Sequence, residues 1–244
     1  MPRTIVVTGG SSGLGAAIAT RLARSGSRIV VTARNGKAGE AVVDRIRAEG
    51  GDAEFFAQDV GEAAQWRALL DAILARHGRL DAVVNNAGIA STGPIESFDA
   101  AQMRRMLRTN LLGGVLGTQL PAAVMAAGGC IVNIASVAGR KGYPFSSAYC
   151  MSKGALCAFT HAAAAQLRER GLRVHLVVPG FYDTPLGRRE AMPTPEIEQQ
   201  VLSGVPLRRV GRPDELAATV EWLLSTAAAG FSGLEITADG GVLA

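Results

Sequence analysis

A short β-rich run, Ile5-Val6-Val7, leads straight into Thr8-Gly9-Gly10-Ser11-Ser12-Gly13-Leu14-Gly15, and an amphipathic helix with Ile18, Leu22 and Ala23 on its apolar side follows. This opening constrains the fold more than any other stretch. A strand of branched apolar residues alone is the form expected of one buried on both faces. A glycine-rich turn between such a strand and a helix aims backbone N–H groups at a phosphate. Glycine is needed where the backbone turns tightly, approaches a ligand, or lets helix pack on strand. The spacing Gly9-xxx-Gly13-x-Gly15 is not the Gly-x-Gly-x-x-Gly of the best-known dinucleotide fold. A glycine turn can be only a turn, but its place between strand and helix favours dinucleotide binding.

The rest of the chain repeats the theme. Strand-like runs at Arg28–Thr32, Ala53–Ala57, Asp81–Asn85, Cys130–Ala135, Leu172–Val178 and Leu234–Thr237 alternate with helical patterns at Glu40–Glu49, Glu62–His77, Ala101–Ala127 (with Asn110 near its middle and Pro121 as a candidate kink), the stretch after Tyr149, and Pro213–Ser225. Such alternation predicts an α/β fold: a Rossmann-type doubly wound parallel sheet of about seven strands with helices on both faces. No composition shift, repeat or low-complexity tract marks a boundary, so residues 1–244 read as a single domain. Between Phe181 and Pro206 regular structure weakens around four prolines, with a short helix predicted at Pro195–Leu202. A long connection after a strand's C-terminal end is placed to cover a substrate, so 181–206 is expected to be a substrate-binding loop or lid.

The second strand ends in Thr32-Ala33-Arg34. An NAD-preferring site usually places a carboxylate here for the ribose 2′-hydroxyl. None is present, and a guanidinium suits a 2′-phosphate. NADP(H) is therefore favoured, with NAD(H) possible.

Tyr149 and Lys153 stand four apart in Tyr-Cys-Met-Ser-Lys, which puts them on one face of a helix. A free phenol titrates near ~10. A cation one turn away is expected to lower that pKa, so that the phenol passes a proton to or from an alcohol or ketone oxygen. Ser136 follows the apolar run Cys130–Ala135, at a strand's C-terminal end, where open α/β sheets keep their ligands. A ring packed on an aliphatic stem is the plain alternative for the pair, and context must decide.

Composition narrows the function classes. Hydrophobic residues are 48% and charged residues 19%, ample for a core. The net charge of +4 comes from scattered arginines rather than a stripe, which disfavours nucleic acid. Cys130, Cys150 and Cys157 have no Cys-x-x-Cys spacing, and an odd number in apolar settings suits reduced thiols in the cytoplasm. Cys157 and His161 lie a turn apart, but core packing is the better reading than a metal. No signal peptide is evident. The uncharged stretch Thr109–Gly139 is long enough to span a bilayer, but Asn110, Gln119, Pro121, Asn133 and Ser136 interrupt it, so no membrane span is expected.

Thr8-Gly9-xxx-Gly13-x-Gly15, Asn85-Asn86-Ala87-Gly88, Asn110, Ser136, Tyr149-xxx-Lys153, Pro179-Gly180 and Asp239-Gly240-Gly241 stand in one order. From about Thr4 onward the chain closely resembles the short-chain dehydrogenase/reductase family. The resemblance implies an oxidoreductase moving a hydride between NADP(H) and a ketone or secondary alcohol. It implies Tyr149 as general acid or base, Lys153 tuning it and holding the nicotinamide ribose, and Ser136 polarising the substrate oxygen. Asn110 would hold the long helix around a proton-relay water. It places Gly9, Ser11, Ser12 and Leu14 on the pyrophosphate and ribose, and Arg34 on the 2′-phosphate. Asp59 and Val60 would meet the adenine, Asn86, Ala87 and Gly88 the adjoining ribose, and Pro179, Gly180 and Thr184 the nicotinamide. Asn85 is expected to tie neighbouring strands. Many NADP-using relatives carry a basic residue in the glycine turn, where this chain has Ser11 and Ser12.

The family also implies a homotetramer (or homodimer). The long helix and the helix after Tyr149 would form an interface, with Ala155, Leu156, Ala158, Phe159, Ala162 and Ala163 as contact surface. A pocket lined near Ala90–Pro94, Gly142–Phe145 and Phe181–Met192, with Tyr143, Phe145, Phe181, Tyr182 and Met192, suits a substrate with a hydrophobic body. The Gln58-Asp59-Val60 turn with Trp66 beyond it is similar to members acting on steroid-like or simple secondary alcohols. The alternatives are a 3-oxoacyl-carrier-protein reductase, for which Arg104, Arg105 and Arg108 could supply a basic patch, and a non-catalytic dinucleotide sensor or scaffold.

Overall fold

The computed structural model describes residues 2–244. Seven parallel strands form one sheet in the order β3-β2-β1-β4-β5-β6-β7. They are β1 (Thr4–Thr8), β2 (Arg28–Ala33), β3 (Asp52–Ala57), β4 (Ala82–Asn85), β5 (Cys130–Ile134), β6 (Arg173–Pro179) and β7 (Glu235–Ala238). The order reverses between β1 and β4, which opens a crevice at the C-terminal ends of those strands.

Alternation along each strand explains the layers. Ile5 and Val7 face the helices α1 (Gly13–Arg24), α2 (Gly36–Ala48) and α9 (Pro213–Leu224), packing with Ile18, Leu22, Val42, Ile46, Leu216 and Val220. Val6 faces the other layer, where α3 (Ala63–His77), α5 (Gly113–Val124) and α6 (Ser147–Leu167) supply Trp66, Leu69, Ile73, Ala122 and Ala164. Trp66 is wholly buried, and its indole N–H donates to the Val60 carbonyl at 2.9 Å. It is part of the core, so it does not inform substrate choice.

A buried polar ladder joins the middle strands. Asn85 Nδ2 donates to Asn133 Oδ1 at 2.8 Å, and Asn133 Nδ2 donates to Thr160 Oγ1 at 2.9 Å. This is the strand-tying role expected of Asn85.

Two expectations need correction. The helix expected at Ala101–Ala127 is three pieces: α4 (Ala100–Leu107), a π turn at Arg108–Leu112, and α5. The disturbance sits at Asn110, and Pro121 lies inside α5 without ending it. Residues 181–206 carry α7 (Pro185–Glu190) as well as α8 (Pro195–Ser203). Each is opened by a Thr-Pro pair: Thr184 accepts from the Gly187 N–H at 3.0 Å and Thr194 from that of Ile197 at 3.4 Å. Proline at a first helical position starts a helix, so a prolyl residue that reads as a breaker here acts as an opener.

Among the described residues no helix is long and apolar enough to cross a membrane. Among the described residues, no group of three or more His, Cys, Asp or Glu stands close enough to hold a metal ion. Cys157 is buried, while His161 pairs with Glu235.

Candidate active site

One cleft of about 930 Å³ runs along the C-terminal edge of the sheet. Gly9, Ser11, Ser12, Gly13 and Leu14 line it at the β1–α1 turn. Gly9 has φ +65°, and a β-carbon on it would come within 2.8 Å of Ala87 Cα. One on Gly15 would meet the Gly9 carbonyl oxygen at 2.4 Å. The turn thus exists only with glycine at these positions. Ser12 precedes α1 without capping it through its side chain, and no acidic residue stands in the first turn. The helix's leading N–H groups and the Ser12 hydroxyl are left for an anion.

Asn86 lines the cleft, and its side chain also has a structural part. Its Nδ2 donates to the Thr8 carbonyl at 2.9 Å, and its N–H and that of Ala87 both donate to Thr8 Oγ1 at 3.0 Å. The amide side chain fastens β4 to the glycine turn, leaving its backbone, Ala87 and Gly88 to face the cleft.

At the far side of the turn the cleft is lined by Arg34, Asn35, Gln58, Asp59 and Val60. Arg34 is exposed and has no ion pair among the described residues. Asp59 is held by Arg108: Nη1 lies 3.0 Å from Oδ2, while Oδ1 accepts from the Gly61 N–H at 3.0 Å. Burial works to raise the Asp59 pKa, but these hydrogen bonds and the charges of Arg108 and Arg34 bring it below the ordinary value. Arg108 also pairs with Glu62. It is therefore committed, and the basic patch expected from Arg104, Arg105 and Arg108 loses its third member.

At the other end, Ser136, Tyr149 and Lys153 line the cleft together. Ser136 follows β5, and its Oγ accepts from the Ala138 N–H at 3.2 Å. Tyr149 and Lys153 lie in the first two turns of α6, with Nζ 5.9 Å from the ring centroid. Lys153 is 4% exposed and donates to the Ile134 carbonyl at 2.9 Å. Burial pushes its pKa down to about 8.

The expected lowering of the phenol's pKa is not what the protein alone produces. Burial raises it, a hydrogen bond with Ser136 works against that, and Lys153 is not among the groups that shift it. The ammonium is itself desolvated and turned toward a carbonyl.

Asn110 sits in the π turn and is 1% exposed. Its Oδ1 accepts from the Ile89 N–H at 2.8 Å, and its Nδ2 donates to the Ile89 carbonyl at 2.8 Å and to Ser152 Oγ at 3.0 Å. It pins the segment after β4 to α6 beside Lys153. A π turn inside an α-helix recurs at functional sites. Ile89 and Ser152 were missed by sequence reasoning because a backbone partner and a helical serine carry no motif.

Pro179, Gly180 and Thr184 also line the cleft. Thr184 crosses it: its Cβ lies 3.3 Å from where a side chain on Gly13 would begin. The pocket wall matches expectation at Ala90–Gly93, Tyr143, Phe145, Phe181 and Tyr182. Met192 is instead buried beneath the 181–206 segment, and Ile197 and Val201 of α8, with Val242, take part. The α8 residues belong to the segment expected to be a substrate lid, whereas Val242 lies in the tail, where nothing in the sequence marked it. The donors at the glycine turn, the free guanidinium and the narrow sheet-edge cleft fit a dinucleotide with its adenosine at Arg34 and Asp59 and its reactive end at Tyr149.

The family model described as "Enoyl-(Acyl carrier protein) reductase" matches residues 9–243. An uncharacterised oxidoreductase of Methylorubrum extorquens is 39% identical over 98% of this chain and 97% of its own length. A cyclopentanol dehydrogenase of Comamonas is 36% identical over 99% and 97%. The crystal structure of a putative gluconate dehydrogenase from Agrobacterium tumefaciens superposes with a TM-score of 0.91 at 30% identity, covering 99% of this chain and 96% of that one.

Proposed function

The chain belongs to the short-chain dehydrogenase/reductase family, whose dehydrogenases act on CH–OH groups, and from that membership we propose that it moves a hydride between NADP(H) and a ketone or secondary alcohol with a hydrophobic body. The observation that carries the proposal is the convergence of two hydroxyls, Ser136 and Tyr149, with Lys153 behind them, in the cleft that begins at the glycine turn. A bound nicotinamide supplies the hydride acceptor or donor.

The residues divide the remaining work. Ser136 orients the substrate oxygen. Tyr149 gives that oxygen its proton in reduction and takes it in oxidation. Burial holds the phenol's pKa above its ordinary value, and the hydrogen bond with Ser136 works the other way, so in the free protein the hydroxyl carries the proton that reduction would use. Lys153 holds ribose hydroxyls, and Asn110's bond to Ser152 fixes α6 beside it. Arg34 takes the 2′-phosphate; Gly9, Ser11, Ser12 and Leu14 the pyrophosphate; Asp59 and Val60 the adenine; Ala87 and Gly88, with the Asn86 backbone, its ribose; Pro179, Gly180 and Thr184 the nicotinamide. Residues 181–206 close over the substrate.

A homotetramer (or homodimer) belongs to the proposal, with one change of surface. Leu156 and Ala163 are buried within the subunit, which leaves Ala155, Ala158, Phe159 and Ala162, with exposed Met151 and Leu112 nearby on the site's helices. The three free cysteines suit a reducing cytoplasm.

The test is a panel of secondary alcohols and ketones, cyclopentanol and cyclopentanone included, assayed with all four coenzyme forms. Turnover with NADP(H) and a compact apolar substrate is expected. Coenzyme binding without turnover across the panel would instead mark a sensor. Turnover only of carrier-linked ketones would mark the carrier reductase.

A further inference from the structure

Arg108 opens the π turn two residues before Asn110, yet its side chain runs to the coenzyme end of the cleft. Its stem crosses Gly61 so closely that a β-carbon there would lie 2.7 Å from Arg108 Cγ. That packing delivers the guanidinium to Asp59 Oδ2 at 3.0 Å and to Glu62. Arg108 does not line the cleft, whereas Asp59 and Arg34 both do. Asp59 feels the charge of Arg34 as well as that of Arg108. Two cations therefore have one carboxylate between them, and only Arg108 is paired with it.

We propose that Arg108 determines coenzyme specificity without touching the coenzyme: by occupying Asp59 it leaves the Arg34 guanidinium free for a 2′-phosphate. This rests on the coenzyme placement proposed above. Without Arg108, Asp59 would act twice against the phosphate. It would draw Arg34 into an ion pair, and its uncompensated charge would repel a dianion bound at Arg34. At an effective dielectric near 20 such charge pairs still interact by kilocalories. NAD(H) has no 2′-phosphate and escapes both effects. The glycine turn holds no basic residue to compensate, since Ser11 and Ser12 stand there.

The test titrates NADPH and NADH into the full-length protein, following intrinsic fluorescence, for the parent, Arg108→Gln, Arg108→Lys, Asp59→Asn and the Arg108→Gln/Asp59→Asn pair. Arg108→Gln should weaken NADPH about fivefold or more and NADH by less than about twofold. Arg108→Lys should keep most of the preference. The double variant should restore the NADPH-to-NADH ratio to within about twofold of the parent, because no carboxylate remains to capture Arg34. Asp59→Asn alone should preserve or raise that ratio, and Arg108→Met takes the place of Arg108→Gln if that variant does not fold. A purely structural role for Arg108 would weaken both coenzymes alike, and a ratio left unmoved by the loss of the Arg108 charge overturns the inference. A parent that binds neither coenzyme overturns the proposed function itself, so the two failures are distinct.

Discussion

The two ends of the substrate region are built differently. At the reacting end Asn110 and Lys153 are buried, Ser136 is partly buried, and each has a hydrogen-bond partner. Asn110 makes three hydrogen bonds, Lys153 donates to a strand carbonyl, and Ser136 caps the turn that follows β5. At the mouth, Phe145 is 64% exposed, Ile197 is exposed, and α7 and α8 are tied mainly by Arg188, which pairs with Asp183 and Glu198 at the surface. Surface ion pairs hold little. The difference teaches that geometry at the proposed proton-transfer end is bound to the sheet, while the proposed function leaves the choice of substrate to segments held by fewer buried contacts. Variants at the two ends should therefore fail in different parameters.

The largest effect belongs to Tyr149→Phe. Loss of the hydroxyl should lower kcat about 10²–10⁴-fold, with coenzyme affinity near the parent's. Steady-state kinetics beside a coenzyme titration measures both. Activity at parental speed would remove the proton-transfer role and the contrast with it.

Lys153 comes next and is read as stability. Its folded pKa of about 8 lies below the value of 10.5 it has outside the fold. Between those values the unfolded chain holds the extra proton, so this group makes stability rise with pH there and carries its full burial penalty below about 8. Denaturant unfolding from pH 7 to 10.5 should show that rise in the parent, up to about 3 kcal/mol, and its absence in Lys153→Met. Parallel curves would mean that the ammonium is not desolvated.

How far the sequence foretold all this follows the same division. The seven strands and the glycine turn were legible because burial on both faces writes continuous branched runs, and close backbone approach demands glycine. Tyr149 and Lys153 were legible because a helix fixes the meaning of four residues' spacing. Asn86's attachment to Thr8, Arg108's hold on Asp59 and the raised pKa of the phenol were not. Each depends on residues far apart in the chain, brought together by the sheet. The first helix of the 181–206 segment was hidden by prolines that open helices as readily as they end them.

Arg34→Asp tests the outer end of the coenzyme groove. It removes a cation that has no ion pair among the described residues and places a carboxylate where a 2′-hydroxyl would accept it as a partner. The ratio of kcat/KM with NADP(H) to that with NAD(H) should fall on the order of tenfold, or about 1.4 kcal/mol. A parent that already uses NAD(H) tenfold better would sink the assignment of Arg34 before any variant is made.

The smallest effect should come from the mouth, and Phe145 isolates it. Its backbone lies at φ +61°, one of two non-glycine residues with positive φ among those described. That left-handed conformation costs an L-residue about 1–2 kcal/mol. Its carbonyl accepts from the Gly93 N–H at 2.8 Å, which fastens the β5–α6 loop to the opposite wall. The exposed ring gains little from burial inside the subunit, so contact with substrate or with the closing lid is what it has to offer against the strain. Phe145→Gly removes the ring and relieves the backbone, though it adds freedom to the unfolded chain. Thermal stability should hold or rise by up to about 1 kcal/mol, while KM for an apolar ketone rises about two- to fivefold and kcat changes less. Phe145→Ala, which removes the ring but keeps the strain, should raise KM equally with no gain in stability. A drop in kcat matching that of Tyr149→Phe would show that the mouth and the proton-transfer end are one rigid unit after all.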